Sequence, residues 1–138
     1  MRRILLIVLL LVGCTQLPPG PEYLRDTTYE TLPDRSVIYV VRTPLDSRES
    51  SALILDDKVQ FTTVAGTYYR WEVAPGVHRV AGFASASESV TLTTAPGGIY
   101  FLEHTVFGNL RDGVVGTSLR QIDAQTGRSL VARSYLRF

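Results

Sequence analysis

The chain has 138 residues, a formal net charge of +1 and one cysteine. That length suits one ordinary domain with its own core, and a single cysteine excludes an intrachain disulfide. No basic patch stands out, so the charge pattern does not favour a nucleic-acid partner.

The amino terminus carries the clearest signal. Arg2 and Arg3 precede an apolar run from Ile4 to Val12. Nine residues at about 1.5 Å each cannot span a hydrocarbon core of roughly 30 Å, but they have the size of a secretory h-region. Leu11-Val12-Gly13-Cys14 then resembles the bacterial lipobox. The chemistry implied is transfer of diacylglycerol to the Cys14 thiol, cleavage between Gly13 and Cys14, and acylation of the freed amine. The alternative is an inert buried cysteine beside an apolar helix. Acyl chains add about 0.8 kcal/mol per buried methylene, so two or three make a stable membrane anchor where one is marginal. The expected organisation is a signal peptide over 1–13, an acylated Cys14 with a Pro-rich tether over 14–35, and a β-sandwich domain over 36–138. Thr15 stands where an Asp would resemble the inner-membrane retention signal. The expected location is therefore the bacterial envelope, at the outer membrane facing the periplasm.

Removal of residues 1–13 leaves 125 residues, with 12 basic against 13 acidic. The tether carries Pro18, Pro19, Gly20, Pro21 and Pro33. Proline-rich chain extends by about 3.1 Å per residue, so the tether could hold a domain clear of the lipid. Its second half, "EYLRDTTYETLP", reads equally as tether or as a segment packed on the domain.

From Ser36 the texture becomes that of strands. "SVIYVVR" is β-branched and aromatic. "SALILDDKVQFTTV" reads as a hairpin turning at Asp56-Asp57. "TYYRWEV", "VHRVAGF", "ESVTLTT" and "IYFLEHTVF" follow, separated by turn signals every 8–12 residues. That spacing predicts an all-β antiparallel sandwich, and the missing helical periodicity excludes a βαβ architecture. Alternation puts Tyr69, Trp71 and Val73 on a core face, and Tyr68, Arg70 and Glu72 on an outer face. Val90 and Leu92 face the core in the same way. Pro75-Gly76 and Pro96-Gly97 read as tight turns, which predicts a meander of hairpins. "SLRQID" reads as a last strand. A short helix is expected over Ser129–Ser134, with Gly127 counting against a longer one.

The strand with Tyr39 and Arg42, the Val73-Pro75-Gly76-His78-Val80 turn and the Tyr100-Phe101 strand resemble a family of small bacterial lipoproteins, the domain of unknown function 2846. The likeness covers about residues 36–107 and departs from the family pattern at Asp57-Lys58, where a Gly is usual. It implies an immunoglobulin-like or transthyretin-like sandwich and brings no activity with it.

No catalytic motif is present. There is no Gly-x-Ser-x-Gly, no Ser-x-x-Lys, no His-Glu-x-x-His and no Cys/His cluster. His78 and His104 lie in expected strands, where structural roles prevail over catalysis. Glu103 and His104 are sequence neighbours on a strand and so point to opposite faces. Asp56 and Asp57 read as turn residues. No metal site and no catalytic residue is nominated, and no cofactor beyond the acyl chains on Cys14. The candidate binding surface comprises Arg48, Tyr68, Arg70, Glu72, His78 and His104. Two long polar loops, "TPLDSRESS" and "GNLRDGVVGTS", are the other candidates. The expected role is a binding or assembly module with an envelope protein or peptidoglycan as partner. Its rivals are an accessory lipoprotein of a secretion complex, or an envelope hydrolase or inhibitor. The hydrolase requires His78 or His104 to meet Asp, Glu or Ser from another strand.

Overall fold

A computed structural model of the chain describes residues 28–83, 86–109, 111 and 114–136. The signal peptide, Gly13, Cys14 and the tether up to residue 27 lie outside the described residues, as does part of the second long loop. The elements are β1 (Ser36–Val41), β2 (Ser51–Leu55), β3 (Val59–Thr63), β4 (Thr67–Val73), β5 (Gly76–Gly82), β6 (Ala86–Ser87), β7 (Ser89–Thr94), β8 (Ile99–Asn109), β9 (Val114–Ile122), α1 (Ala124–Ala132) and β10 (Tyr135–Leu136). They form a sandwich of a six-stranded sheet, ordered β10-β4-β1-β8-β9-β6, and a four-stranded sheet, ordered β3-β2-β5-β7. The expected all-β sandwich is the fold.

The connections differ from a meander. Pro75-Gly76 links β4 to β5, and Pro96-Gly97 links β7 to β8; each pair of strands belongs to different sheets. These turns therefore carry the chain across the sandwich instead of closing hairpins. Hairpins remain at β2–β3 and β8–β9. The crossings also make the larger sheet mixed, because β1 lies parallel to β8. At the β2–β3 turn the Lys58 amide donates to the Leu55 carbonyl at 3.0 Å. Asp56 (φ 50°) and Asp57 (φ 56°) occupy its centre. Two left-handed residues match the right-handed twist of the strands, and Asp tolerates that conformation better than most residues. The turn thus forms without the glycine usual in the resembled family.

The central strand β1 is buried along its whole length. Ile38 and Val40 face Leu53, Leu55, Val80, Leu92 and Leu102 between the sheets. Val37, Tyr39 and Val41 face the other way, onto Phe101, Leu130 and Val131. A strand covered on both faces reads as a continuous apolar run, which "SVIYVV" is. The second cover is α1. Asp123 caps it, accepting from the Thr126 amide at 2.9 Å. The helix starts at Ala124 instead of Ser129 and ends at Ala132 instead of Ser134, and it contains Gly127 because that residue meets the sheet. A Cβ there would stand 2.2 Å from Phe101 Cγ. Tyr29 completes this layer, packing on Tyr39 and Phe101 and donating to the Arg128 carbonyl. The segment ahead of Ser36 therefore packs on the domain from Tyr29 onward.

Candidate functional site

Parallel pairing of β1 with β8 places the end of β1, the far half of β8 and the start of β9 at one end of the sandwich. The loop over residues 43–50 emerges there, as does the β8–β9 connection; of the second loop expected over 108–118, Gly108, Asn109 and Val114 to Ser118 instead extend the paired strands of that hairpin. Arg42, directly after β1, organises this end. Its side chain is wholly buried. Nε donates to Asp46 Oδ2 at 2.9 Å, Nη2 to the Ser47 carbonyl at 2.6 Å, and Nη1 to the carbonyls of Glu49 and Thr63, both at 3.0 Å. A planar guanidinium presents five donors in a fixed fork, which suits it to gather several acceptors from one loop. Asp46 in turn accepts from the Ser47 amide at 2.8 Å and the Val106 amide at 3.1 Å. The loop over residues 43–50 is thereby tied to β3 and β8 at its base.

His104 joins this cluster from β8. It is 1% exposed, and its Nδ1 lies 3.0 Å from Thr63 Oγ1. That hydroxyl donates to the Ser51 carbonyl at 3.1 Å and accepts from Arg42 Nη1 at 3.3 Å. When the Thr63 proton is directed to Ser51, Thr63 accepts from His104, an arrangement that corresponds to the Nδ1–H tautomer with Nε2 as an acceptor. Burial, reinforced by the Arg42 guanidinium, lowers the pKa of His104 to about 4, while the Asp46 carboxylate opposes that shift. The imidazole is neutral at pH 7.

Above this base several large apolar side chains stand exposed. Leu45, at the tip of the 43–50 loop, is 97% exposed. Phe107 near the end of β8, Phe83 after β5 and Tyr135 on β10 are also exposed at this end, at 48%, 59% and 81%. Arg48 is exposed in the same loop. An immobilised loop base carrying an uncovered leucine is suited to presenting a contact surface.

The other candidates separate from this end. His78 lies at the opposite end, with Nδ1 2.7 Å from Asp56 Oδ2 and Nε2 2.7 Å from the Ala74 carbonyl. Asp56 also accepts from the Arg79 amide at 2.8 Å. His78 does meet an acid, but one from the β2–β3 turn and not from another strand. Both ring nitrogens are engaged, so the pair pins the β2–β3 turn to the β4–β5 crossing. Trp71 packs edge-on against the ring at 5.2 Å.

The stripe of Tyr68, Arg70 and Glu72 is not an open sheet face. Tyr68 and Arg70 are buried. Arg70 donates to Glu72 Oε2 from both terminal nitrogens at 3.2 Å, and to the Glu30 carbonyl at 3.4 Å. The cover over this face comes from α1 and the segment near Tyr29. Among the described residues no three His, Cys, Asp or Glu side chains converge as a metal site would require.

Sequence reasoning missed Arg42 as the organiser, with Asp46 and Thr63 as its partners. Its trace was a charged residue directly abutting the apolar run Val37–Val41, followed four positions later by an acid. No protein-family model matches the chain, and no curated protein does.

Proposed function

We propose that this chain is a lipid-anchored protein of the bacterial envelope, acylated at Cys14 and held at the outer membrane facing the periplasm. Its sandwich acts as a binding or assembly module, and the loop end is its contact surface. The lipobox-like order of residues 2–14 supports the anchor. The single observation that carries the contact surface is Leu45, fully uncovered on a loop whose base is fixed by buried Arg42. The partner is an envelope protein, because Leu45, Phe83 and Phe107 offer apolar packing area of the kind that anchors protein interfaces.

Crosslinking in intact cells tests both parts. Native protein should capture one dominant partner, and Cys14→Ser should remain an uncleaved, unacylated precursor that captures none. Leu45→Arg and Phe107→Arg alter only exposed side chains and should abolish the crosslink while the chain stays folded and acylated. Capture undiminished by both substitutions rejects the loop end. Normal processing of Cys14→Ser rejects the anchor.

A further inference from the structure

Two buried polar atoms near the Arg42 cluster lack a hydrogen-bond partner among the described residues: His104 Nε2 and Thr117 Oγ1. His104 is 1% exposed and Thr117 is fully buried. Leaving such a group unsatisfied is costly, so native interiors rarely do so twice in one place. Their positions are linked. In the β8–β9 ladder His104 pairs with Leu119 and Val106 pairs with Thr117, which makes His104 and Thr117 diagonal neighbours. Alternation places both on the inner face that carries Leu102 and Leu119.

We propose that His104 Nε2 and Thr117 Oγ1 together hold one internal water molecule. Diagonal neighbours stand about 7–8 Å apart at their Cα atoms, a spacing that a threonine hydroxyl and an imidazole can span through a single bridging water. The protonation pattern suits it. Nδ1–H is committed to Thr63, so Nε2 offers a lone pair to a water hydrogen. The water oxygen accepts the Thr117 hydroxyl proton, or the second water hydrogen bonds that hydroxyl's lone pair. A site with two polar partners at this depth is of the kind that retains ordered water.

The water would complete a polar spine across the sandwich. The spine runs from the Ser51 carbonyl to Thr63 in the four-stranded sheet, then to His104, the water and Thr117 in the six-stranded sheet. Arg42 joins it at Thr63 and carries it to the 43–50 loop, while Thr117 lies in the first half of β9. The inference stands apart from acylation and from any partner, since it depends only on the folded interior.

The test uses the intact chain solubilised in detergent. A crystal structure at about 1.2 Å should show one water within 2.7–3.2 Å of both atoms. In parallel, 15N spectra of the histidine rings should show His104 as the Nδ1–H tautomer, with Nε2 shifted upfield by an accepted hydrogen bond. Thr117→Val should lose the water and move Nε2 downfield, whereas Thr117→Ser should keep both signatures. A direct hydrogen bond between His104 and Thr117 overturns the proposal. So does a dry contact between them, or an Nε2–H tautomer in the native chain. If Thr117→Val fails to fold, the native crystal structure and spectrum decide the matter alone.

Discussion

The two ends of the sandwich use the same chemical parts at different depths. Each sets a histidine and a carboxylate among backbone amides and carbonyls, and each pins a connection between strands. At the loop end Arg42, Asp46 and His104 are buried almost completely. At the turn end the His78–Asp56 pair is partly open to water. Depth changes what each part must do. A buried guanidinium needs every donor satisfied, so it recruits three carbonyls and a carboxylate. A shallow carboxylate can share its demands with solvent, so losing a partner there matters less.

The largest effect should follow from breaking the deep end. Arg42→Met leaves Asp46 buried without its counter-charge, a change that costs roughly 3–5 kcal/mol in comparable sites. Arg42→Lys should lose a large part of the same stability. A single ammonium cannot reach Asp46, Ser47, Glu49 and Thr63 together. Urea unfolding midpoints measure both. A midpoint unchanged by Arg42→Met would remove the distinction between the ends.

Acid should act on the deep end next. His104 has a folded-state pKa of about 4 against an ordinary 6.5. Between those values the unfolded chain binds the proton that the folded chain refuses. The contribution from this group is therefore complete above about pH 6.5 and is lost as the pH falls toward 4. A fall from 6.5 to about 4 corresponds to on the order of 3 kcal/mol. His104→Gln removes the titration. The difference in unfolding midpoint between native chain and His104→Gln should change across this window and be flat above it. A difference that stays constant from pH 7 to pH 4.5 would contradict the buried neutral imidazole.

The helix-covered face sharpens a related contrast, between the sheet face that was legible and the one that was not. Period-two alternation in "ESVTLTT" and "TYYRWEV" was enough to place Leu92, Trp71 and Val73 toward the inter-sheet core. The unbroken apolar run of β1 carried the sign of a second cover, yet the covering elements were obscured. Gly127 reads as a helix breaker in isolation, and it is there to let α1 approach Phe101. Arg70 and Tyr68 look like surface residues until the segment from Tyr29 is laid over them. Pro75-Gly76 and Pro96-Gly97 announce turns without saying whether the next strand stays in the same sheet. Local chemistry marks where the chain bends; only long-range packing selects the partner. Gly127→Ala tests this reading, and its cost of about 1–3 kcal/mol for overpacking should appear in the unfolding midpoint. A neutral or stabilising outcome, as helix propensity alone would give, would mean that α1 does not press on the sheet.

The smallest effect should come from the shallow end, where two substitutions at one position separate charge from backbone. Asp56→Asn keeps a residue that tolerates positive φ and keeps an oxygen for the Arg79 amide. It weakens only the charge assistance to His78. The pair is partly solvated, so the loss should be about 1 kcal/mol or less. Asp56→Val removes the side-chain bonds to both His78 and the Arg79 amide and also forces a β-branched residue into the left-handed region, which should cost distinctly more. The order expected in unfolding midpoint is native, then Asp56→Asn, then Asp56→Val, with Arg42→Met well below all three. If Asp56→Asn instead matched Arg42→Met, the His78 clamp would be as critical as the buried cluster, and depth would no longer explain how this sandwich distributes its polar groups.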